Sequence, residues 1–178
     1  MTPHTLRPIA LLLLLAGTAP LPAQPPTFYD FTDRVKQYVK VRQSAPRLRT
    51  TKQGQEIADR RLALAESIRQ SRPSAKQGDI FTKEISARFL TIIQSTLHGP
   101  NGSNVRQTIR QGDPVATQPL AVNGAYPEGL PLTTVPPTLL LKLPQLPERL
   151  AYRIVGRDFV LQDTEARLIV DFIPAAFP

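Results

Sequence analysis

Basic side chains are the densest group in this chain that could bind a ligand. Residues 24–112 contain 16 Lys and Arg against 7 Asp and Glu, whereas residues 113–178 contain 5 against 7. A concentrated positive field of this kind attracts polyanions. The alternative interpretation is a solvated surface without a specific partner. The candidate binding residues are Arg34, Lys36, Lys40, Arg42, Arg60, Arg61, Arg69, Arg72 and Lys76.

Four carboxylates near the C-terminus could support acid–base chemistry, since paired carboxylates cleave glycosidic bonds in many hydrolases. The four are Asp158, Asp163, Glu165 and Asp171. They fall at predicted turns and strand ends, where aspartate is common because its side chain hydrogen-bonds the local backbone. The sequence therefore favours a non-catalytic protein and assigns no catalytic residue. A carboxylate-dependent secreted hydrolase is the alternative.

Other chemistries lack their ligands or motifs. His98 is the only histidine after residue 23, and the chain contains no cysteine, so the usual ligands of a transition-metal site are missing. The sequence has no Walker A motif, no dinucleotide-binding glycine motif and no nucleophile elbow. We therefore expect no metal site and no cofactor. His98 is interpreted as a helix C-terminal residue that interacts favourably with the helix dipole.

Residues 1–23 have the composition of a secretory signal peptide. Arg7 supplies a positive charge, residues 9–16 form an apolar core, and a stretch of small residues and prolines ends at Ala23, where cleavage is expected. The apolar core is shorter than the roughly 20 residues that span a membrane. We therefore expect a secreted or periplasmic protein without a transmembrane span. That location favours anionic cell-envelope components as partners over nucleic acid, and it leaves the oligomeric state open.

The basic region, residues 24–112, is predicted to be helical. Its apolar side chains recur at intervals of three and four residues, which is typical of the buried face of a helix. Proline and glycine separate the segments. The predicted helices are residues 29–42, 55–71, 80–98 with Asp79 as the N-cap, and 103–111. The third helix is the most apolar, and its expected buried face is Phe81, Ile85, Phe89 and Ile92.

The remainder of the chain is predicted to be irregular and then β-stranded. Residues 113–149 hold eight prolines by residue 147, which predicts extended segments with one helical turn near residues 137–143. Residues 150–178 contain three short runs of β-branched and aromatic side chains separated by gaps of hairpin length. The runs are residues 152–155, 159–161 and 168–173. We therefore expect an α+β protein that ends in a three-stranded antiparallel meander.

Three motifs mark the meander: Tyr152-Arg153-Ile154-Val155, Phe159-Val160-Leu161-Gln162-Asp163 and Leu168-Ile169-Val170-Asp171. They resemble the ends of small secreted bacterial proteins of unknown function and of periplasmic nickel-cobalt homeostasis proteins. Residues 75–81 (AKQGDIF) and 152–158 (YRIVGRD) extend the resemblance to uncharacterised secreted bacterial proteins along the chain. The pattern has a proline where this chain has Thr164, so the second turn is expected to differ. The resemblance implies a shape and no reaction, and its metal association rests on fold analogy alone.

Overall fold

A computed structural model describes residues 28–44, 54–111, 119–127 and 135–178 of the chain. Along these residues the helices come first and the strands last, which confirms the predicted α+β class. The predicted signal peptide, residues 1–23, lies outside the described residues. The elements are α1 (Phe28–Ser44), α2 (Gly54–Ser71), α3 (Lys83–Leu97), α4 (Gly102–Gln111), α5 (Pro137–Leu140), β1 (Leu150–Val155), β2 (Asp158–Asp163) and β3 (Leu168–Ile173).

The three strands form the predicted antiparallel meander in the order β1–β2–β3. Gly156 and Arg157 connect β1 to β2, with Val155 paired to Asp158 across the turn. Gly156 has a φ of 55°, and glycine adopts this left-handed conformation without strain at the start of a two-residue hairpin turn. The glycine therefore sets the register of the first hairpin.

A register shift interrupts the pairing of β2 with β3 beside Leu161 and Gln162. It has the form of a β-bulge, in which one strand carries an extra residue and changes the phase of its side chains. As a result, the neighbours Val170 and Asp171 both face the helices: Val170 joins the main hydrophobic core and Asp171 binds the loop before α3. The bulge thus places a carboxylate on the face that packs against the helices.

One hydrophobic core joins the helices to the meander. Phe89 of α3 lies at its centre, in contact with rings from α1, from the loop before α3 and from both strands of the first hairpin. Neighbouring ring centroids are 5.0–6.3 Å apart, the separation at which aromatic pairs attract. The rings are Phe28, Phe31, Phe81, Phe89, Tyr152, Phe159 and Phe177. The helical region and the meander therefore share a core.

The buried face of α3 departs slightly from the predicted one. Ile92 is only partly buried, because a helix turns once in 3.6 residues and the residue four positions after Phe89 lies closer to the core. The buried side chains along α3 and just before it are Phe81, Ile85, Phe89, Ile93, Thr96 and Leu97. The predicted residues are otherwise in the core.

The start of α3 was predicted wrongly. The helix begins at Lys83, and its N-cap is Thr82 rather than Asp79. Asp79 instead closes the preceding turn, where its carboxylate accepts a hydrogen bond from the Lys76 N–H at 2.9 Å. The N–H groups just before Thr82 bind an acceptor on the sheet and so stay outside the helix.

Candidate functional site

Asp171 is a buried carboxylate with an exposed fraction of 0%. Its Oδ1 accepts hydrogen bonds from the N–H groups of Gly78 at 3.0 Å and Phe172 at 2.8 Å. Its Oδ2 accepts from Ile80 at 2.7 Å and Phe81 at 2.8 Å. Several such bonds offset the cost of removing a carboxylate from water. Asp171 therefore fastens the loop before α3 to β3, and its oxygens are occupied by that task.

This contact joins two of the motifs that carry the sequence resemblance, residues 75–81 and the end of the third meander motif. Gly78 has a φ of 90°, a backbone conformation that residues with a Cβ atom rarely adopt. This conformation belongs to the turn that directs the Gly78 N–H toward Asp171. Arg34 of α1 reinforces the loop, since its Nη1 donates to the Asp79 carbonyl at 2.7 Å. The residues of these two motifs are therefore in contact with each other and stabilise the fold. Sequence reasoning missed this contact, although a glycine in one motif and an aspartate in an apolar strand were the signals.

Asp163 is the second buried carboxylate, also with an exposed fraction of 0%. Its Oδ1 accepts from the N–H groups of Glu165 at 3.0 Å and Ala166 at 2.9 Å, which closes the turn between β2 and β3. Its Oδ2 accepts from the Tyr38 hydroxyl at 2.9 Å and from Arg42 Nε at 2.8 Å. Asp163 therefore ties the C-terminal half of α1 to this turn.

Tyr38 and Arg72 are stacked beside Asp163. The Arg72 guanidinium carbon lies 5.0 Å from the centroid of the Tyr38 ring, a cation–π distance. Burial raises the pKa of Tyr38, and the charge of Asp163 and the hydrogen bond to it act in the same direction. Burial lowers the pKa of Arg72. Tyr38 is therefore held as a neutral hydroxyl that donates to a carboxylate, which is a structural role.

Four of the nine candidate basic residues hold the fold together: Arg34, Arg42, Arg69 and Arg72. Arg42 forms ion pairs with both Asp163 and Glu165. Arg69 Nε donates to the Asn123 carbonyl at 3.0 Å, and Arg72 Nη1 donates to the Asn123 side-chain oxygen at 3.3 Å. The guanidinium groups of Arg42, Arg69 and Arg72 therefore connect the helices to the sheet, directly or through Asn123, whose N–H donates to the Ile169 carbonyl of β3.

The other five candidates lie near the surface of the helical region, four on helices and Lys76 in the loop between α2 and α3. Lys36 pairs with Asp33 at 3.1 Å and Arg60 pairs with Glu56 at 3.5 Å, each within its own helix. Surface pairs of this kind contribute little to stability. The remaining three are exposed, and they are Lys40, Arg61 and Lys76. The structure thus divides the sequence cluster into residues that build the fold and residues that face solvent.

Arg61 and Arg69 come together at a groove of about 200 Å³ between α2 and the start of β3. Arg167 lines the same groove from the turn before β3, and the exposed Leu62 lies beside it. Sequence reasoning did not select Arg167, because it lies in the acidic C-terminal part of the chain and far from the basic run. Three guanidinium groups therefore border one concave surface.

His98 ends α3 as predicted, since it is the C-cap residue and its Nδ1 lies 2.9 Å from the Gln94 carbonyl oxygen. Within the part of the chain that the structure describes, no group of three or more histidine and acidic side chains could hold a metal ion. The helices in that part also lack the combination of length and apolarity that a membrane crossing needs.

Comparisons with protein-family models, with curated proteins and with solved structures find no match to this chain. The resemblance to secreted bacterial proteins therefore remains a prediction from the sequence motifs. Function has to be argued from the arrangement of this chain's own residues, because a fold class alone implies no activity.

Proposed function

We propose that the protein is a non-catalytic binding protein of the bacterial cell envelope, secreted or periplasmic, that contacts anionic envelope polymers through basic residues of its helical region. The observation that carries the proposal is a contrast between charged groups. Asp163 and Asp171 are buried and occupied by hydrogen-bond donors, whereas Lys40, Arg61 and Lys76 are exposed. The described helical region also exposes acids, among them Asp30 and Glu84, but its exposed cations outnumber them.

The alternative is a carboxylate-dependent hydrolase, but its candidate carboxylates form hydrogen bonds and ion pairs that stabilise the fold. Asp158 accepts a hydrogen bond from the Ala175 N–H at 2.8 Å, and Glu165 forms ion pairs with Arg42 and Arg149. A general acid or base must reach the proton that it transfers. Carboxylates engaged in this way, two of them without solvent exposure, favour a structural role over a catalytic one.

A polymer with repeated anionic groups suits separated cations better than a single small anion does. Each exposed lysine or arginine contributes little by itself, because water and salt screen its charge. A polyanion can engage several of them at once, and linked weak contacts add up to a useful affinity. Binding should therefore depend strongly on salt concentration.

The test uses the triple variant K40E/R61E/K76E, chosen because these side chains are exposed, unlike Arg69, which binds Asn123. Binding to isolated cell-wall polymer or anionic vesicles is measured between about 0.05 and 0.5 M salt, over which charge screening becomes much stronger. We expect wild-type binding to fall steeply with salt and the triple variant to bind at least about tenfold more weakly.

The matched control is K40R/R61K/K76R, which keeps every charge and should bind like the wild type. Circular dichroism checks that both variants are folded. Binding that is indifferent to salt and to charge reversal would leave these residues as ordinary solvated surface. The proposed location rests on the predicted signal peptide, and N-terminal sequencing of exported protein should begin at or near Gln24.

A further inference from the structure

A second concave surface, apart from the nine candidate basic residues of the helical region, lies beside β1. It has a volume of about 480 Å³, within the range of roughly 300–1,000 Å³ that is typical of small-molecule sites. Leu141 and Leu140 at its rim are 87% and 48% exposed. Neighbouring large apolar side chains left in water on one concavity indicate a binding site. Its apolar walls include Val135, Leu140, Leu141, Leu143, Pro144 and Leu146.

Arg153 is the only charged side chain among the described residues that line this cavity. It is half-buried, and its hydrogen bonds go to neutral acceptors: Nε donates to Gln162 Oε1 at 3.1 Å and Nη1 to the Tyr152 carbonyl at 3.3 Å. The ion pairs formed among the described residues do not include it. A partly buried cation is more stable with an anion beside it. The charge at this site therefore favours an anionic ligand group.

The free side of β1 is poorly suited to an added peptide strand, the other occupant that such a groove could take. The Leu150 N–H already donates to the Pro147 carbonyl at 3.2 Å, and the Tyr152 carbonyl accepts from Arg153. The Tyr152 hydroxyl donates to the Pro144 carbonyl at 3.0 Å and holds the proline segment against the strand. A ligand that needs no backbone ladder fits this surface better than a peptide does.

We infer that the cavity binds a long-chain carboxylate, with the acyl chain against the leucines and the carboxylate on Arg153. The open guanidinium hydrogens of Arg153 match a carboxylate, because the planar fork of arginine can donate two parallel hydrogen bonds to it. Burial of the chain supplies the affinity, since each methylene removed from water tightens binding about three- to fourfold. The carboxylate supplies orientation.

Isothermal titration calorimetry with octanoate, decanoate and dodecanoate, each below its micelle concentration, tests the assignment on the full chain. Affinity should rise about threefold or more per added methylene, and dodecanol should bind at least about tenfold more weakly than dodecanoate. Arg153→Gln should remove the preference for dodecanoate over dodecanol and leave dodecanol binding unchanged. A structural role of Arg153 would weaken both ligands equally.

Leu141→Asn gives an independent readout at an exposed position, so it serves even if Arg153→Gln fails to fold. It should weaken every chain length, whereas the matched control Leu62→Asn, at a 67% exposed leucine on the other groove, should change nothing. K40E/R61E/K76E should bind dodecanoate normally, which separates this assignment from polymer binding. Affinity without chain-length dependence, capture by phospholipid vesicles alone, or binding only of an extended apolar peptide would overturn it.

Discussion

Asp171 and Asp163 are both fully buried on the side of the sheet that faces the helices, yet they are satisfied in different ways. Asp171 accepts only backbone N–H groups, three of them from a loop 90 to 93 residues earlier in the chain. Asp163 accepts two backbone N–H groups from its own turn and two side-chain donors from α1. One end of the interface therefore depends on the shape of the main chain, and the other depends on which side chains α1 carries.

The largest effect on stability is expected for Asp171→Ala. The substitution leaves three loop N–H groups without their acceptor, and each buried unsatisfied donor costs about 1–3 kcal/mol. After partial relaxation we expect the free energy of unfolding to fall by about 3–5 kcal/mol in urea titrations. Asp171→Asn should rescue little, because each oxygen accepts two N–H groups and the amide would present a donor to one pair. Full rescue would contradict this account.

A smaller loss is expected for Asp163→Asn, about 1–2 kcal/mol in the same titration. The amide oxygen can still accept the N–H groups of Glu165 and Ala166, as asparagine does in many turns. The amide nitrogen would face Arg42, which keeps Glu165 as an anionic partner, and the Tyr38 hydroxyl, which can rotate and accept, whereas the backbone N–H groups around residue 171 can only donate. The comparison therefore predicts a clear rank: asparagine is tolerated at 163 and not at 171. Equal losses at the two positions would show that both ends are held in the same way.

Local sequence patterns predicted the helices and strands, but they could not predict which charged side chains would be buried or what would contact them. Helix and strand follow from periodicity that a short window contains, but the partner of Asp171 lies in a loop that only the folded chain brings near. Arg42 was predicted as a binding residue together with Lys40, yet it continues the spacing of the buried α1 residues Val35 and Tyr38. That phase is a sequence signal that distinguishes it from Lys40. Lys40, Arg61 and Lys76 carried no comparable signal, because isolated surface charges do not recur at a fixed spacing in the sequence.

Tyr38→Phe tests the contact between α1 and Asp163 through the pH dependence of stability. The loss at neutral pH should be about 1 kcal/mol, the usual contribution of a hydrogen bond. In the unfolded chain a tyrosine deprotonates near pH 10, whereas burial raises the pKa of folded Tyr38. Its contribution is therefore complete below about pH 10 and is lost as pH rises above that value. Urea unfolding from pH 7 to 11 should show a shallower decline for the variant than for the wild type. Identical slopes would refute the linkage.

The smallest effect is expected for Arg61→Gln, which removes a charge from an exposed position on α2. Substitutions at exposed sites usually change stability by less than about 0.5 kcal/mol. The variant thus sets the baseline for charge removal from the helices. A loss comparable with that of Asp163→Asn would place Arg61 among the residues that hold the fold.

The sequence separation between each buried carboxylate and its partner also affects the order in which contacts form during folding. Tyr38 and Asp163 are 125 residues apart, and Gly78 and Asp171 are 93 apart. Contacts across such distances form late, because long loops must close before they are rewarded. During synthesis, Phe89 and its neighbours on the helices leave the ribosome well before the strands that cover them. The apolar face of the helices in the nascent chain is therefore exposed until β3 has been synthesised. Aggregation is most favourable during this interval, and chaperone binding to the exposed face would have its largest effect then.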